Sequence, residues 1–151
     1  MDKFDRDILH LLQTDATLSV GEIANRIALS KTACWRRIQK LESDGVIKAR
    51  IALLDQKQLN LPLTVYIVVR TNQHNDAWAK NFREVIDSID EILDVSRTSG
   101  DVDYLIKAVV SDMQGYDALY QQLIKADLFD VSSSFVMESL KETTRLPLKY
   151  L

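Results

Sequence analysis

The strongest constraint on this chain is a change of hydrophobic period part-way along it. Up to Gly45, apolar residues recur at helical spacing. Beyond Pro62, runs rich in Val and Ile alternate with helical stretches. The 151 residues allow one domain of average size or two small ones, and the change of period favours two. In the first part, Phe4, Ile8, Leu11 and Leu12 fall at i, i+4, i+7 and i+8, on one helix face. Thr14-Asp15-Ala16-Thr17 breaks the pattern. Ser19 can cap a second short helix with an inner face of Val20, Ile23, Ala24 and Ile27. Ser30 can cap a third, in which Cys34, Ile38 and Leu41 repeat, and Gly45 suits the residue just past its end. Val46 to Leu54 is β-branched and partly alternating, and reads as a short hairpin or wing. Three short helices, a tight connection between the second and third, and a basic β segment predict a winged helix-turn-helix over residues 1–54.

Asp55 to Pro62 is polar, ends in Pro and reads as a linker over 55–62. The remainder, 63–151, predicts a strand from Leu63 to Thr71, a helix carrying Trp78, Phe82, Val85, Ile86 and Ile89, and strands from Ile92 to Ser99 and Asp103 to Val110. A second helix carries Met113, Tyr116, Leu119, Tyr120, Leu123 and Ile124, and a last strand runs from Val131 to Leu140. That order, βαββαβ, is the ferredoxin-like arrangement, and the fold class expected is α+β. Both sides of the first strand are largely apolar, which suits a sheet covered twice, by its helices and by a second subunit. The tail from Thr143 is too short to stand alone and is expected to pack on this domain or on a partner chain.

Charge is distributed unevenly. The net charge is −3, yet residues 1–54 hold nine Lys/Arg against seven Asp/Glu, and Ser30 to Arg50 holds six basic residues against two acidic ones. A basic stripe on an acidic body suits a small nucleic-acid reader attached to something else; a solvated helix face is the plainer account. The 46% hydrophobic and 27% charged content excludes a disordered chain. No stretch offers the roughly 20 apolar residues of a membrane-spanning helix, and the charged N-terminus lacks an apolar signal core. A single Cys34, with His10 and His74 far apart, leaves no disulfide framework and no zinc-ligand spacing. A reducing, cytoplasmic location is expected, with no metal and no cofactor.

With Cys34, Ile38 and Leu41 buried, the opposite face of the third helix centres on Thr32, Arg36, Gln39 and Ser43, at about 100° per residue. Arg and Gln can bond guanine and adenine edges bidentately in the major groove. Lys31, Thr32 and Arg36 lie in the N-terminal part that reaches bases in helix-turn-helix proteins. Lys40, Lys48 and Arg50 are better placed for phosphate. The DNA-binding set expected is therefore Ser30, Lys31, Thr32, Arg36, Gln39, Lys40, Lys48 and Arg50, on double-stranded DNA. Arg37, nearer the buried edge, is expected to form a salt bridge or pack its stem. Trp35 is expected to cover the core, and Cys34 to be a small buried hydrophobe rather than a redox sensor.

Gly100-Asp101-Val102-Asp103 joins two strands and has two readings. It is a turn in which Gly permits positive φ and Asp accepts local N–H bonds. Or it is a site for an amino-acid zwitterion, with N–H groups near Gly100 for the carboxylate and Asp101 or Asp103 for the ammonium.

Taken together, these segments resemble the leucine-responsive regulatory protein/AsnC family of bacterial and archaeal transcription regulators. The resemblance lies in Asp5-Arg6-Asp7-Ile8-Leu9 with Leu11-Leu12-Gln13, and in Leu29-Ser30 leading to Cys34-Trp35-Arg36-Arg37-Ile38 and Leu41-Glu42-Ser43-Asp44-Gly45-Val46-Ile47. Further on it lies in Gly100-Asp101-Val102-Asp103-Tyr104-Leu105, Asp112-Met113 and Ser133-Ser134-Phe135-Val136-Met137-Glu138. It covers nearly the whole chain in family order. It implies a DNA-binding head, a ferredoxin-like amino-acid-sensing domain, and dimers that assemble further, to tetramers or octamers. It also implies that the Gly100 loop is the ligand loop, with Met113, Ser134, Phe135 and Val136 forming an apolar wall from a neighbouring chain. Two other functions compete with this one. A tetrapyrrole decarboxylase-like enzyme on this architecture would need His or Arg groups around a large pocket, and the second domain holds only His74; no nucleophile–base constellation or glycine-rich phosphate loop is present. An amino-acid-binding or scaffolding module without DNA reading leaves the Arg36/Gln39 face unexplained.

Overall fold

The computed structural model describes residues 1–151. It divides into two compact units, Met1–Leu53 with Lys141–Leu151, and Leu54–Leu140.

The first unit is built on three helices, α1 (Lys3–Leu12), α2 (Val20–Arg26) and α3 (Lys31–Ser43). Each begins at a side-chain cap that satisfies otherwise orphaned N–H groups. Asp2 and Asp5 form a reciprocal capping box on α1, and Ser19 and Glu22 form another on α2. The Ser30 hydroxyl accepts from the Ala33 N–H at 3.2 Å and starts α3. Gly45 ends α3 at φ +72, as its place in the sequence predicts. The turn between α2 and α3 is a Schellman motif: Leu29 N–H donates to Ala24 O and Ala28 N–H to Asn25 O. Its left-handed position is held by Ala28, φ +55, rather than by a glycine. Ile8, Leu9, Leu12, Leu18, Ile23, Ala24, Cys34, Ile38 and Leu41 make the core. Leu9 and Leu18 belong to it although the helical repeat omits them; Phe4 and Leu11 are only half-buried.

Two expectations fail in this unit. Val46–Leu54 forms no strand. The unit offers no second strand, so there is no ladder to order this segment, and Ile51, Leu53 and Leu54 are left largely exposed. The wing position is filled by irregular chain. The second concerns the tail, which packs on the head rather than on the sheet domain. Gln13 exchanges two hydrogen bonds with the backbone of Leu146, at 3.1 and 2.9 Å. Arg6 donates to the carbonyl of Leu151 at 2.7 Å, and Leu148 packs on the head core.

The second unit contains β1 (Leu63–Arg70), α4 (Asp76–Asp87), β2 (Ile92–Arg97), β3 (Tyr104–Val110), α5 (Met113–Leu123) and β4 (Asp130–Phe135). The strand order β2-β3-β1-β4, antiparallel throughout, is the ferredoxin-like sheet. Val65, Ile67, Val69, Ile106, Ala108 and Val110 line one face and pack on Trp78, Phe82, Leu119 and Leu123 of the helices. Trp78 stacks on Phe82 at 5.0 Å and its indole N–H donates to Asp127 O at 3.0 Å. The other face is mixed: Tyr66 and Val68 stand beside Leu105, Lys107, Ser132 and Ser134. β4 stops at Phe135, short of the expected Leu140, because β1 has only two residues left beyond the Val65–Phe135 pair and only Val136 N–H still reaches it, at Thr64 O. The segment read as a linker folds into turns, closed by Leu59 N–H to Asp55 O and Leu61 N–H to Gln56 O.

Candidate DNA interface and effector loop

α3 presents Lys31, Thr32, Trp35, Arg36, Gln39 and Lys40 to solvent while Cys34, Ile38 and Leu41 turn inward. The face expected to read DNA is therefore free within the head. Its cations differ in availability. Lys31, Arg36 and Lys48 form no ion pair. Lys40 pairs with Asp44 at 2.8 Å, which holds its ammonium pKa above the usual lysine value. Arg50 pairs with Glu42 at 2.9 Å. The Gln39 amide also donates to Glu42, at 3.0 Å. Glu42 thus organises two members of the expected set, a role the sequence reading missed. The i, i+3 spacing of Gln39 and Glu42 was the available signal. The Ser30 hydroxyl accepts from Ala33 N–H in its cap and keeps its own O–H to donate.

Arg37 takes the structural role expected of it. Its guanidinium bonds Asp5 at 2.7 Å and Asp2 at 2.8 Å and lies 5.4 Å from the Phe4 ring centroid. These contacts tie α3 to the start of α1 and raise the Arg37 pKa, the hydrogen bond it donates to Asp5 first among them. Cys34 is fully buried, and burial pushes its thiol pKa up, away from thiolate reactivity. Trp35 departs from expectation. It is 52% exposed and outside the head core, because at about 100° per residue it sits well away from the Cys34–Ile38–Leu41 stripe.

In the second unit Gly100 adopts φ +108 in an open loop where an added side chain would meet nothing. The strands are clamped beneath it by Thr98 N–H to Asp103 O and the Thr98 hydroxyl to Val102 O. Asp101 is exposed. Asp103 is not equivalent to it: its carboxylate accepts from the Thr71 N–H at 2.8 Å, and its own N–H donates to Val69 O. Of the two aspartates, only Asp101 has its carboxylate turned wholly to solvent use.

The expected wall lies elsewhere on the sheet. Tyr104 pairs with Val69 at the loop end, whereas Val110 pairs with Leu63 at the other, where Met113, Phe135 and Val136 follow. Along the strands, Ser134 and Phe135 lie three and four residues from the Tyr104–Val69 pair, about 10 and 13 Å, and Met113 lies beyond Val110, six residues or about 20 Å from it. Met113 is 58% exposed and Ser134 is exposed. Phe135 packs edge-on against Tyr116, whose hydroxyl bonds Ser133 at 2.7 Å.

A winged helix-turn-helix DNA-binding family model matches residues 1–48, and the Lrp/AsnC ligand binding domain matches residues 64–146. The chain belongs to the Lrp/AsnC family. It is 44% identical over 98% of its length to 91% of the glutamate uptake regulatory protein of Zymomonas mobilis. It is 40% identical to the DNA-binding transcriptional activator DecR of Escherichia coli, over 99% of both chains. Among solved structures it resembles an AsnC family transcriptional regulator from Agrobacterium tumefaciens, with TM-score 0.95, 49% identity and 100% and 99% of the two chains covered. A Neisseria meningitidis transcriptional regulator in complex with L-Met matches with TM-score 0.93 and 32% identity over 99% and 98%. As a member of the Lrp/AsnC family this chain is a DNA-binding transcription regulator, with a winged helix-turn-helix head and a ferredoxin-like ligand-binding domain. No helix in it is long and apolar enough to cross a membrane.

Proposed function

We propose that this regulator acts in the cytoplasm without catalysis, reading double-stranded DNA through the exposed face of α3 under the control of a small amino acid. Lys31, Thr32, Arg36 and Gln39 read base edges, while Ser30, Lys40, Lys48 and Arg50 hold phosphates. The observation that carries this reading is the unpaired state of Lys31 and Arg36 on a fully exposed helix face. Unpaired cations meet phosphate or guanine without first breaking a protein ion pair.

The effector site consists of the N–H groups around Gly100 for the carboxylate and Asp101 for the ammonium. Asp103 supports the loop through Thr71. Met113, Ser134, Phe135 and Val136 are spread along the sheet from about 10 Å to about 20 Å or more beyond its loop end in the same chain, so in this reading they complete the pocket from another copy. That geometry supports an assembly of dimers into a tetramer or octamer. The L-Met complex of the Neisseria relative supports an amino acid as ligand. Binding between copies shifts the assembly equilibrium, and with it the number of heads that engage spaced half-sites. Coupling of about 1–3 kcal/mol, roughly 5–150-fold in affinity, is the usual range.

Fluorescence anisotropy on the DNA upstream of its own gene, against a scrambled duplex, tests this. Wild-type protein and Arg36→Ala are compared across a salt series and a full amino-acid panel. The expected result is specific binding that weakens steeply with salt, loses base preference in the variant and responds to one amino acid. Indifference of both assembly and affinity to every amino acid would overturn the effector reading. Unchanged preference in Arg36→Ala would overturn the α3 reading.

A further inference from the structure

Trp35 is the one large aromatic left in the open on the reading helix. The chain's other tryptophan, Trp78, is buried in the sheet domain against Phe82. An indole in water costs free energy that a folded head of this size would recover by tucking it inwards, yet α3 turns it out beside Lys31, Thr32 and Gln39. Those are its neighbours at i−4, i−3 and i+4, all exposed members of the proposed DNA set. Long side chains on a helix lean toward its N-terminus, so the indole covers the first turn of α3. That is the part of a recognition helix that enters the major groove. The acidic group nearest on the same stripe, Glu42, is already occupied by Arg50 and Gln39, so the stripe presents an apolar plate among compensated or positive charge.

The major groove offers such a plate one apolar feature, the C5-methyl of thymine. We propose that Trp35 is a specificity-determining residue, its indole packing on a thymine methyl within each half-site. This rests on α3 being the reading helix. It adds a requirement for thymine to the guanine and adenine preferences of Arg36 and Gln39.

The test begins by selecting binding sites from a random duplex pool with the full chain. Each thymine of the selected half-site is then replaced by deoxyuridine, which removes only the methyl. Loss of one buried methyl corresponds to about a fourfold weakening. At one position per half-site the wild type should weaken by that factor, while Trp35→Ala should bind thymine and uracil duplexes alike. Trp35→Phe should keep part of the discrimination. Thermal melts should show Trp35→Ala as folded as the wild type, because the side chain lies outside the core. A selected site without a required thymine overturns the proposal, as does wild-type indifference to uracil or full discrimination by Trp35→Ala. A change of oligomer mass in Trp35→Ala with unaltered DNA preference also overturns it, in favour of a protein contact. Arg36→Ala run in parallel separates the two failures: if it too leaves binding unchanged, the reading of α3 itself is wrong.

Discussion

The head and the sheet domain are stabilised by different means. The head closes a small core of nine buried residues and adds capping boxes and close ion pairs. Four pairs in it fall between 2.7 and 2.9 Å. The sheet domain closes a larger core under three antiparallel ladders, and its two ion pairs are long, at 3.6 and 3.8 Å. The perturbed carboxylates follow the same division. Asp2, Asp15 and Glu22, all in the head, have pKa values lowered by the hydrogen bonds they accept. A reader of DNA must keep one face polar and charged, so it has less apolar surface to bury and relies on hydrogen-bonded termini. A ligand-binding domain is under no such constraint.

The sharpest way to break this contrast is through the core of the sheet domain. Ile67→Ala, at a fully buried position in the central strand β1, should cost about 2–5 kcal/mol. Hydrogen exchange should place the loss in residues 54–140 and leave protection of α1 to α3 unchanged. Equal loss of protection in both units would show that they unfold as one.

Acid should expose the opposite weakness. Asp2 is held down by the Asp5 N–H bond and then by Arg37, Asp15 by the Thr17 hydroxyl and N–H, and Glu22 by the Ser19 hydroxyl and N–H. A carboxylate with a depressed folded pKa contributes stability that is fully present above its unfolded value, here near 3.8 for Asp and 4.5 for Glu. That contribution is lost as pH falls through the lower folded value. Helix signals from the head should therefore weaken as pH drops below about 4, as residue-resolved NMR would show. Head signals that hold their strength through that window would refute the contribution of these three carboxylates.

The smallest effect expected is a gain. Ala28→Gly relieves a left-handed alanine in the helix-turn-helix and should stabilise the head by up to about 1 kcal/mol. A chemical denaturation midpoint that stays put or falls would mean that the alanine methyl contributes packing that offsets its strain.

Much of the architecture was legible in the chain because it is local. Ser19, Ser30 and Gly45 mark helix ends through bonds to residues a few positions away, and the Val-rich runs announce strands by their own composition. The candidate sites were legible only in part. Arg36 and Gln39 follow from helix periodicity alone, and both are exposed as expected. Asp101 and Asp103 look interchangeable until the fold brings Thr71, 32 residues away, to one of them. Trp35 resembles a core residue by its type, and only its angular position on α3, away from the Cys34–Ile38–Leu41 stripe, leaves it exposed.

By itself, then, the sequence determined the two units, the order of their elements and which face of α3 carries charge, all consequences of short-range spacing and capping. Tertiary structure alone decided that Val46–Leu54 forms no strand, that the tail joins the head through Gln13 and Arg6, and that the Gly100 loop and the residues proposed as its pocket wall are set apart along one sheet. Each of these depends on whether a distant group is present to accept a hydrogen bond or bury a side chain, and no local pattern encodes where that group will be.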